Sequence, residues 1–153
     1  MGPVRGKCDS LGRMIPSMTP AQREALRAAA PSLYRVQSEK PPSPFAFFGF
    51  ESPAGWYELV LDASRKLEAE IQAQPEAERA QYSAKQVKSK FGMLCLYMGP
   101  RTPAMDAILT EAEHRSLETC ETCGRSATRH TVRGWIVTAC PEHAPKASRL
   151  REQ

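Results

Sequence analysis

Two pairs of metal-ligating residues lie near the carboxyl end of the chain, at a spacing typical of a zinc site. Cys120 and Cys123 form the first pair, and sixteen residues separate it from the second pair, Cys140 and His143. Zinc prefers four thiolate or imidazole ligands, and a two-residue spacer lets both members of a pair reach one ion. Because protein side chains would fill all four positions, no place is left for a reactive water. The spacing therefore predicts a structural zinc ion.

A redox centre and a different fourth ligand are the alternatives to this interpretation. A Cys-x-x-Cys pair can be a redox centre, but redox pairs usually follow a strand and open a helix, whereas here a predicted helix precedes the pair and a glycine follows it. For the fourth ligand, His130 is the alternative to His143. The position of His143, three residues after Cys140, favours His143.

The residues between the two pairs predict a β-hairpin. Thr128–Val132 and residues 135–138 are rich in β-branched side chains, and Arg133 and Gly134 between them suit a tight turn. A Cys-x-x-Cys knuckle followed by a hairpin is the first part of a treble-clef zinc finger.

A helical turn is predicted to carry the second pair. Pro141 directly follows Cys140, where a first-turn proline favours a helix start, so Cys140 and His143 would share one face. The tail, residues 144–153, predicts a short basic helix that closes the module. Knuckle, hairpin and helix together predict a treble-clef-like zinc finger.

The composition is that of a globular protein. Hydrophobic residues make up 41% of the 153 residues and charged residues 25%, while thirteen prolines indicate many irregular connections. No apolar run reaches membrane-spanning length, and the first residues lack the hydrophobic stretch of a secretory signal. We therefore expect a cytoplasmic protein with no membrane partner.

The chain is predicted to be an α+β protein with three regions. These are a flexible arm with one helix and a proline-rich linker (1–44), a small mixed helix/strand core (45–119) and the zinc-finger module (120–153). The arm helix is predicted to start at Thr19 as its cap, with Pro20 at the first position and Gln22 completing a capping box.

Two helices are predicted in the core. The first has apolar residues at helical spacing, namely Trp56, Leu59, Val60, Ala63, Leu67 and Ile71. Its other face is predicted to be solvated and comprises Glu58, Asp62, Arg65, Glu68 and Glu70. The second is predicted from Ala104, with an apolar side formed by Ile108, Leu109, Ala112 and Leu117.

Two strands are predicted between these helices. Residues 87–91 alternate apolar and polar side chains, Gly92 interrupts, and Met93–Met98 is a mainly apolar run in which Cys95 should be buried. The two pieces form either a hairpin or one bent strand. The phenylalanine-rich residues 45–50 are expected to anchor the core, with base stacking as the alternative.

The motifs Gly-Trp-Tyr-Glu-Leu-Val at 55–60 and Gln-Val-Lys-Ser-Lys-Phe-Gly at 86–92 accompany the two ligand pairs, which lie in residues 111–124 and 135–143. In these segments the chain resembles a family of short, uncharacterised proteins encoded by tailed bacteriophages and prophages. The resemblance spans residues 45–145 and implies a phage-type origin and bound zinc, without supplying an activity. The chain departs from the family at 52–54, where Ser-Pro-Ala replaces a Cys-Gly-Asp-like stretch, so a second site there is not implied.

The first functional hypothesis is an accessory protein that binds a host or phage protein, for example to inhibit a host defence system. The second is nucleic-acid binding by the zinc module, with Trp135 stacking on a base. Its basic residues would be Arg125, Arg129, Arg133, Lys146 and Arg149. In the structural alternative, Trp135 packs on the preceding helix and the arginines are simply solvated.

A nuclease is the third hypothesis, since some treble-clef modules hold a His-Asn-His site. The chain contains no asparagine, and once one histidine binds zinc only His114 and His130 remain. Catalysis needs convergent titratable groups, which glutamates of the two predicted core helices could still provide in three dimensions. We expect a binding protein rather than an enzyme.

Overall fold

The computed structural model of the protein describes residues 7–8, 14–35, 49–132 and 134–145. Several predicted features lie outside these ranges: the proline-rich residues 37–44, the aromatic residues 45–48, Arg133, and residues 146–153 of the predicted tail helix with Lys146 and Arg149. Within the described ranges the chain is a mixed helix and strand protein, which confirms the predicted class at that level.

The described elements are three α-helices, two 3₁₀ turns and seven short strands. The helices are α1 (Pro20–Ala29), α2 (Tyr57–Gln72) and α3 (Pro103–Ser116), with 3₁₀ turns at Ala54–Trp56 and Glu76–Gln81. The strands are β1 (Lys7–Cys8), β2 (Met14–Ile15), β3 (Phe50–Glu51), β4 (Ala84–Lys90), β5 (Met93–Met98), β6 (Thr128–Val132) and β7 (Trp135–Ala139). Strands β1–β2 and β6–β7 form antiparallel pairs, whereas β4 lies between parallel β3 and antiparallel β5.

Helix α1 begins at the predicted capping box. The Thr19 hydroxyl accepts the backbone N–H of Gln22 at 3.1 Å, and the Gln22 side chain accepts the N–H of Thr19 at 2.9 Å. These two bonds satisfy N–H groups that have no partner within the helix. Leu26 is fully buried where α1 packs against α2, so the helix belongs to the main hydrophobic core.

Helix α2 is the centre of that core. All six apolar positions predicted from the 3.6-residue period are buried, five of them in α2 and Trp56 in the 3₁₀ turn before it. The prediction that Glu68 is simply solvated is wrong, because its carboxylate is half-buried and accepts the backbone N–H groups of Ser32 and Leu33, both at 3.1 Å. Glu68 therefore holds the segment after α1 against α2, a long-range role that helical periodicity cannot indicate.

Helix α3 packs on α2 and β5. Thr102 caps it by accepting the N–H of Met105 at 3.2 Å, and Met105, Leu109 and Ala112 are buried in the core. Its exposed side includes His114. None of the described helices combines the length and the apolar character needed to cross a membrane.

Strands β4 and β5 form a hairpin, which decides between the two predicted arrangements. The two-residue turn is Phe91-Gly92, and both residues have positive φ, 53° and 74°. Val87 and its partner Leu96 face the core, and Cys95 is buried as predicted. The hairpin turn points toward the carboxyl-terminal module, whose residues it contacts.

Candidate metal centre

Four predicted ligands converge at the carboxyl end of the fold. We call Cys120, Cys123, Cys140 and His143 the Cys3His cluster; their ligand atoms all lie within 4.8 Å of one another. The Cys140 sulfur lies 3.1 Å from Nδ1 of His143 and 3.6 Å from the Cys123 sulfur. The Cys120 sulfur lies 3.7 Å from the same nitrogen. The 3.6 and 3.7 Å distances match the roughly 3.5–3.8 Å between ligand atoms of a tetrahedral zinc site, whereas the 3.1 Å distance is shorter. The four residues could hold a metal ion.

Other uses of these side chains fit the distances less well. A disulfide needs sulfurs about 2.0 Å apart, and the 3.6 Å between Cys123 and Cys140 leaves both as free thiols. His130, the alternative fourth ligand, does not belong to the cluster. Its Nε2 atom lies 3.2 Å from both the Thr128 hydroxyl and the Ala139 carbonyl oxygen. His130 thus ties the two strands of the β6–β7 hairpin together.

The first pair sits on a tight knuckle. The N–H of Cys120 donates to the Arg125 carbonyl at 2.8 Å, and the N–H of Gly124 donates to the Cys120 carbonyl at 3.0 Å. Gly124 has a φ of 80°, a region that favours glycine. The N–H of Thr122 points at the Cys120 sulfur at 3.4 Å.

The second pair lies on a single turn, and the predicted helix start is wrong for the described residues. The N–H of His143 donates to the Cys140 carbonyl at 3.0 Å, which brings the two side chains together. Residues 141–143 form a turn that does not continue as a helix through Pro145. The i to i+3 spacing therefore works as predicted, although one turn is enough to achieve it.

The thiols of the cluster differ in acidity. Burial opposes ionisation of Cys140, but hydrogen bonds from the backbone and side chain of His143, with help from Cys123, lower the pKa of Cys140 to about 6. Burial, together with the neighbouring thiols of Cys140 and Cys120, raises the pKa of Cys123. A coordinated metal ion would favour the thiolate form, because its charge stabilises the anion directly.

Gly55 and Trp56, which precede helix α2, contact the knuckle directly. The N–H of Gly55 donates to the Glu121 carbonyl at 2.9 Å, and the indole N–H of Trp56 donates to the Thr119 carbonyl at 2.8 Å. A Cβ atom at position 55 would overlap the carbonyl oxygen of Cys120. The Gly-Trp motif, which had no assigned chemistry, thus forms the contact surface for the knuckle, and only glycine fits at its first position.

Glu121, inside the knuckle, was not singled out by sequence reasoning. Its side chain is fully buried. One carboxylate oxygen accepts the Ser89 hydroxyl at 2.8 Å, and the other accepts the backbone N–H of Thr138 at 3.0 Å. The backbone N–H of Glu121 donates in turn to the Thr138 carbonyl at 2.9 Å. One residue therefore links the core strand β4, the knuckle and strand β7.

The β4–β5 turn makes the remaining contact with the module. The Thr138 hydroxyl donates to the Gly92 carbonyl at 2.6 Å, and the Arg129 guanidinium donates to the Phe91 carbonyl at 2.8 Å. A Cβ atom on Gly92 would lie 3.1 Å from the Thr138 hydroxyl and 3.2 Å from a methyl carbon of Ile136. The second motif of unassigned chemistry, at 86–92, therefore also supports the metal module.

Among the described residues predicted to bind nucleic acid, Arg129 and Trp135 lie on different faces of the β6–β7 hairpin. Arg129 lies opposite Thr138 in the strand register, and both side chains are on the side that contacts the Phe91-Gly92 turn. Side chains alternate along β7, so Trp135 lies on the opposite side. Trp135 is 56% exposed, so it is not buried against the preceding helix. Arg125 is exposed and pairs with Glu142 at 3.3 Å. Arg133, Lys146 and Arg149 lie outside the described residues.

No protein-family model, curated protein or solved structure matches the chain.

Proposed function

We propose that the Cys3His cluster binds one structural zinc ion in a treble-clef-like module, and that the chain is a binding protein without catalytic activity. The observation that carries this proposal is the convergence of four ligand atoms within 4.8 Å. Thiolate and imidazole ligands in this ratio suit zinc. The order of knuckle, hairpin and second ligand pair supports the treble-clef-like arrangement.

The role of the metal would be structural because protein side chains supply all four ligands. The module has a small apolar cluster of its own, formed by Cys120, Ala127, Ala139, Cys140 and Ala144. Five small side chains bury little apolar area, so ligation would supply much of the free energy that orders the knuckle and the β6–β7 hairpin.

The resemblance to phage and prophage proteins supports a role in a bacterial host cell, with a host or phage macromolecule as the partner. A protein partner, including a component of a host defence system, and a nucleic acid are both consistent with a small non-catalytic chain. The exposed aromatic and cationic side chains of the described surface, which include Phe91, Tyr97 and Lys90, favour nucleic acid.

Metal content tests the proposal directly. Protein purified without chelators should contain about one zinc per chain by elemental mass spectrometry. The Cys123→Ser variant should lose most of the metal and the order of residues 120–145, as measured by amide hydrogen exchange. Cys95→Ser is the matched control, because Cys95 is buried outside the cluster and the variant should keep its zinc. Metal-free wild-type protein with a native melting profile would refute the proposal.

A further inference from the structure

The outward face of the β4–β5 hairpin carries exposed aromatic and cationic side chains. Residues opposite each other in an antiparallel pair point to the same side, and the register pairs Lys88 with Cys95, Lys90 with Met93, and Gln86 with Tyr97. We define the outer sheet face as Lys88, Lys90, Met93 and Tyr97, together with Phe91 at the turn. The same side also carries Gln86 and, between Met93 and Tyr97, the buried Cys95. Phe91 is 61% exposed and Tyr97 is 43% exposed, and they are two of the three large apolar side chains exposed among the described residues.

The β4–β5 hairpin itself carries only positive charge. The hairpin from Ala84 to Met98 contains three lysines and no aspartate or glutamate. The one carboxylate on the same side of the neighbouring strand β3 is Glu51, which lies opposite Lys88. The Lys90 ammonium lies 5.8 Å from the centre of the Phe91 ring, so cation and aromatic ring are adjacent. Such a surface is complementary to an anion that also has flat apolar groups.

The backbone conformation at position 91 does not favour a phenylalanine. Hairpin turns with two positive φ angles prefer Asn-Gly, and a bulky residue with positive φ is uncommon. Phe91 has a φ of 53° and gains little burial in return, since most of its ring faces solvent. Residues that break a local rule without a folding benefit are most often found at functional sites. The exposed ring therefore indicates an external contact.

We infer that the outer sheet face binds single-stranded nucleic acid, with Phe91 and Tyr97 stacking on bases and the two lysines contacting phosphates. Exposed rings on a basic sheet suit this ligand, because unpaired bases offer π-faces and the backbone is anionic. The bases of a duplex are already stacked on one another, so they cannot reach the two rings. Tyr97 lies opposite Gln86, which is five residues before Phe91, so the positions of the two rings lie roughly 16 Å apart along the strand. This separation suits an oligonucleotide better than a mononucleotide.

This inference rests on the proposed function, because the zinc module holds the turn that presents Phe91. Arg129 donates to the Phe91 carbonyl and Thr138 donates to the Gly92 carbonyl. Loss of the module would release both contacts and leave the ring without a fixed position. Removing zinc should therefore weaken binding of the nucleic acid, although no residue of the Cys3His cluster belongs to the outer sheet face.

The test uses the zinc-loaded full chain and two fluorescein-labelled probes, an oligothymidylate and an oligouridylate of about fifteen nucleotides. Fluorescence anisotropy at several salt concentrations should show binding that weakens as salt rises. Phe91→Asn removes the ring while suiting the positive φ, so binding should fall about tenfold with an unchanged or higher melting temperature. Tyr97→Thr keeps strand propensity and should cause a similar loss.

A charge variant and two matched controls separate this face from other surfaces. Lys88→Gln combined with Lys90→Gln should reduce the slope of log affinity against log salt by about 1.4, the amount expected for two phosphate contacts. Trp135→Thr removes the third exposed ring, on the far face of the β6–β7 hairpin, and should leave binding unchanged. Lys66→Gln removes a cation from α2 and should also have little effect.

Three outcomes would overturn the inference. They are no binding of either probe by folded, zinc-loaded protein; wild-type affinity in Phe91→Asn; and loss of binding in Trp135→Thr alone. If the probes do not bind while a photo-crosslinker placed at position 91 captures a protein, the outer sheet face serves a protein partner and the proposed binding function stands. Absence of zinc would instead refute the proposed function itself.

Discussion

The indole N–H of Trp56 donates to the carbonyl oxygen of Thr119 at 2.8 Å, one residue before the first ligand of the Cys3His cluster. Trp56 is fully buried where the 3₁₀ turn leads into α2, so its ring belongs to the main core. Its single polar atom therefore connects that core to the start of the knuckle. This connection makes the position of the first ligand pair depend on the packing of α2.

Trp56→Phe isolates the contribution of that hydrogen bond. The variant keeps an aromatic ring in the core but leaves the Thr119 carbonyl without its donor, so the free energy of unfolding should fall by about 1–3 kcal/mol, including a small packing loss. Chemical denaturation followed by circular dichroism measures this change. Trp135→Phe is the control, because Trp135 is 56% exposed and its replacement should change stability by less than about 0.5 kcal/mol. Equal effects in the two variants would contradict the assigned role.

Gly55→Ala should separate the knuckle from the core. The added methyl group would overlap the Cys120 carbonyl oxygen, and the displaced atoms belong to backbone that cannot rotate away. We expect a loss of about 2–3 kcal/mol in the free energy of unfolding, together with weaker metal retention. Gly134→Asn is the matched control, because no atom lies within 4 Å of a Cβ there and asparagine tolerates positive φ. A wild-type melting temperature for Gly55→Ala would show that the close approach is not required.

The sequence predicted elements whose cause is local. The capping box at Thr19, the apolar face of α2 and the Cys-x-x-Cys spacing depend on residues within one or two turns of each other, so periodicity and spacing indicate them. The contacts of Gly55 with the knuckle join residues more than sixty positions apart. A glycine before a tryptophan has several local explanations, and only the fold shows which one applies.

The same reason explains the two main errors of prediction. Glu68 lies at a polar position of α2, but whether a carboxylate faces water or a distant backbone is decided by the chain that packs above it. Pro141 favours a helix start, yet the turn at 141–143 already brings Cys140 and His143 together. Local propensity thus predicted correctly that the two side chains meet, but it predicted a helix start where the structure has a turn.

Glu121→Ala should destabilise the attachment of the module more than any other single polar change in the knuckle. It leaves the Ser89 hydroxyl and the Thr138 N–H buried without their acceptor, which should cost about 2–4 kcal/mol. Hydrogen exchange of Thr138 should increase in the same variant. Glu118→Ala changes an exposed glutamate three residues earlier and should have little effect. If Ser89→Ala and Glu121→Ala prove strictly additive in a double-mutant cycle, the two side chains do not interact as described.

Zinc affinity should rise with pH across the neutral range. Ligation requires thiolates, so protons compete with the metal, and each proton released on binding changes the affinity about tenfold per pH unit. Burial raises the pKa of Cys123, so this thiol is protonated at neutral pH and must lose its proton. The pKa of Cys140 is lowered to about 6, so protons compete with the metal for the Cys140 sulfur mainly below that pH. Affinity should therefore fall more steeply below about pH 6 than above it, because one more ligand is then protonated.

Competition with a chromophoric chelator at a series of pH values measures this dependence. Cys95→Ser should follow the wild-type curve, because Cys95 lies outside the Cys3His cluster. His143→Ala should bind zinc more weakly at every pH, since it removes one of the four ligands. It also removes the hydrogen bonds of the His143 side chain, which help to lower the pKa of Cys140, so the steeper region of the curve should move to higher pH. A wild-type affinity that stays constant between pH 6 and 8 would mean that no thiol proton is displaced, which is incompatible with ligation by Cys123.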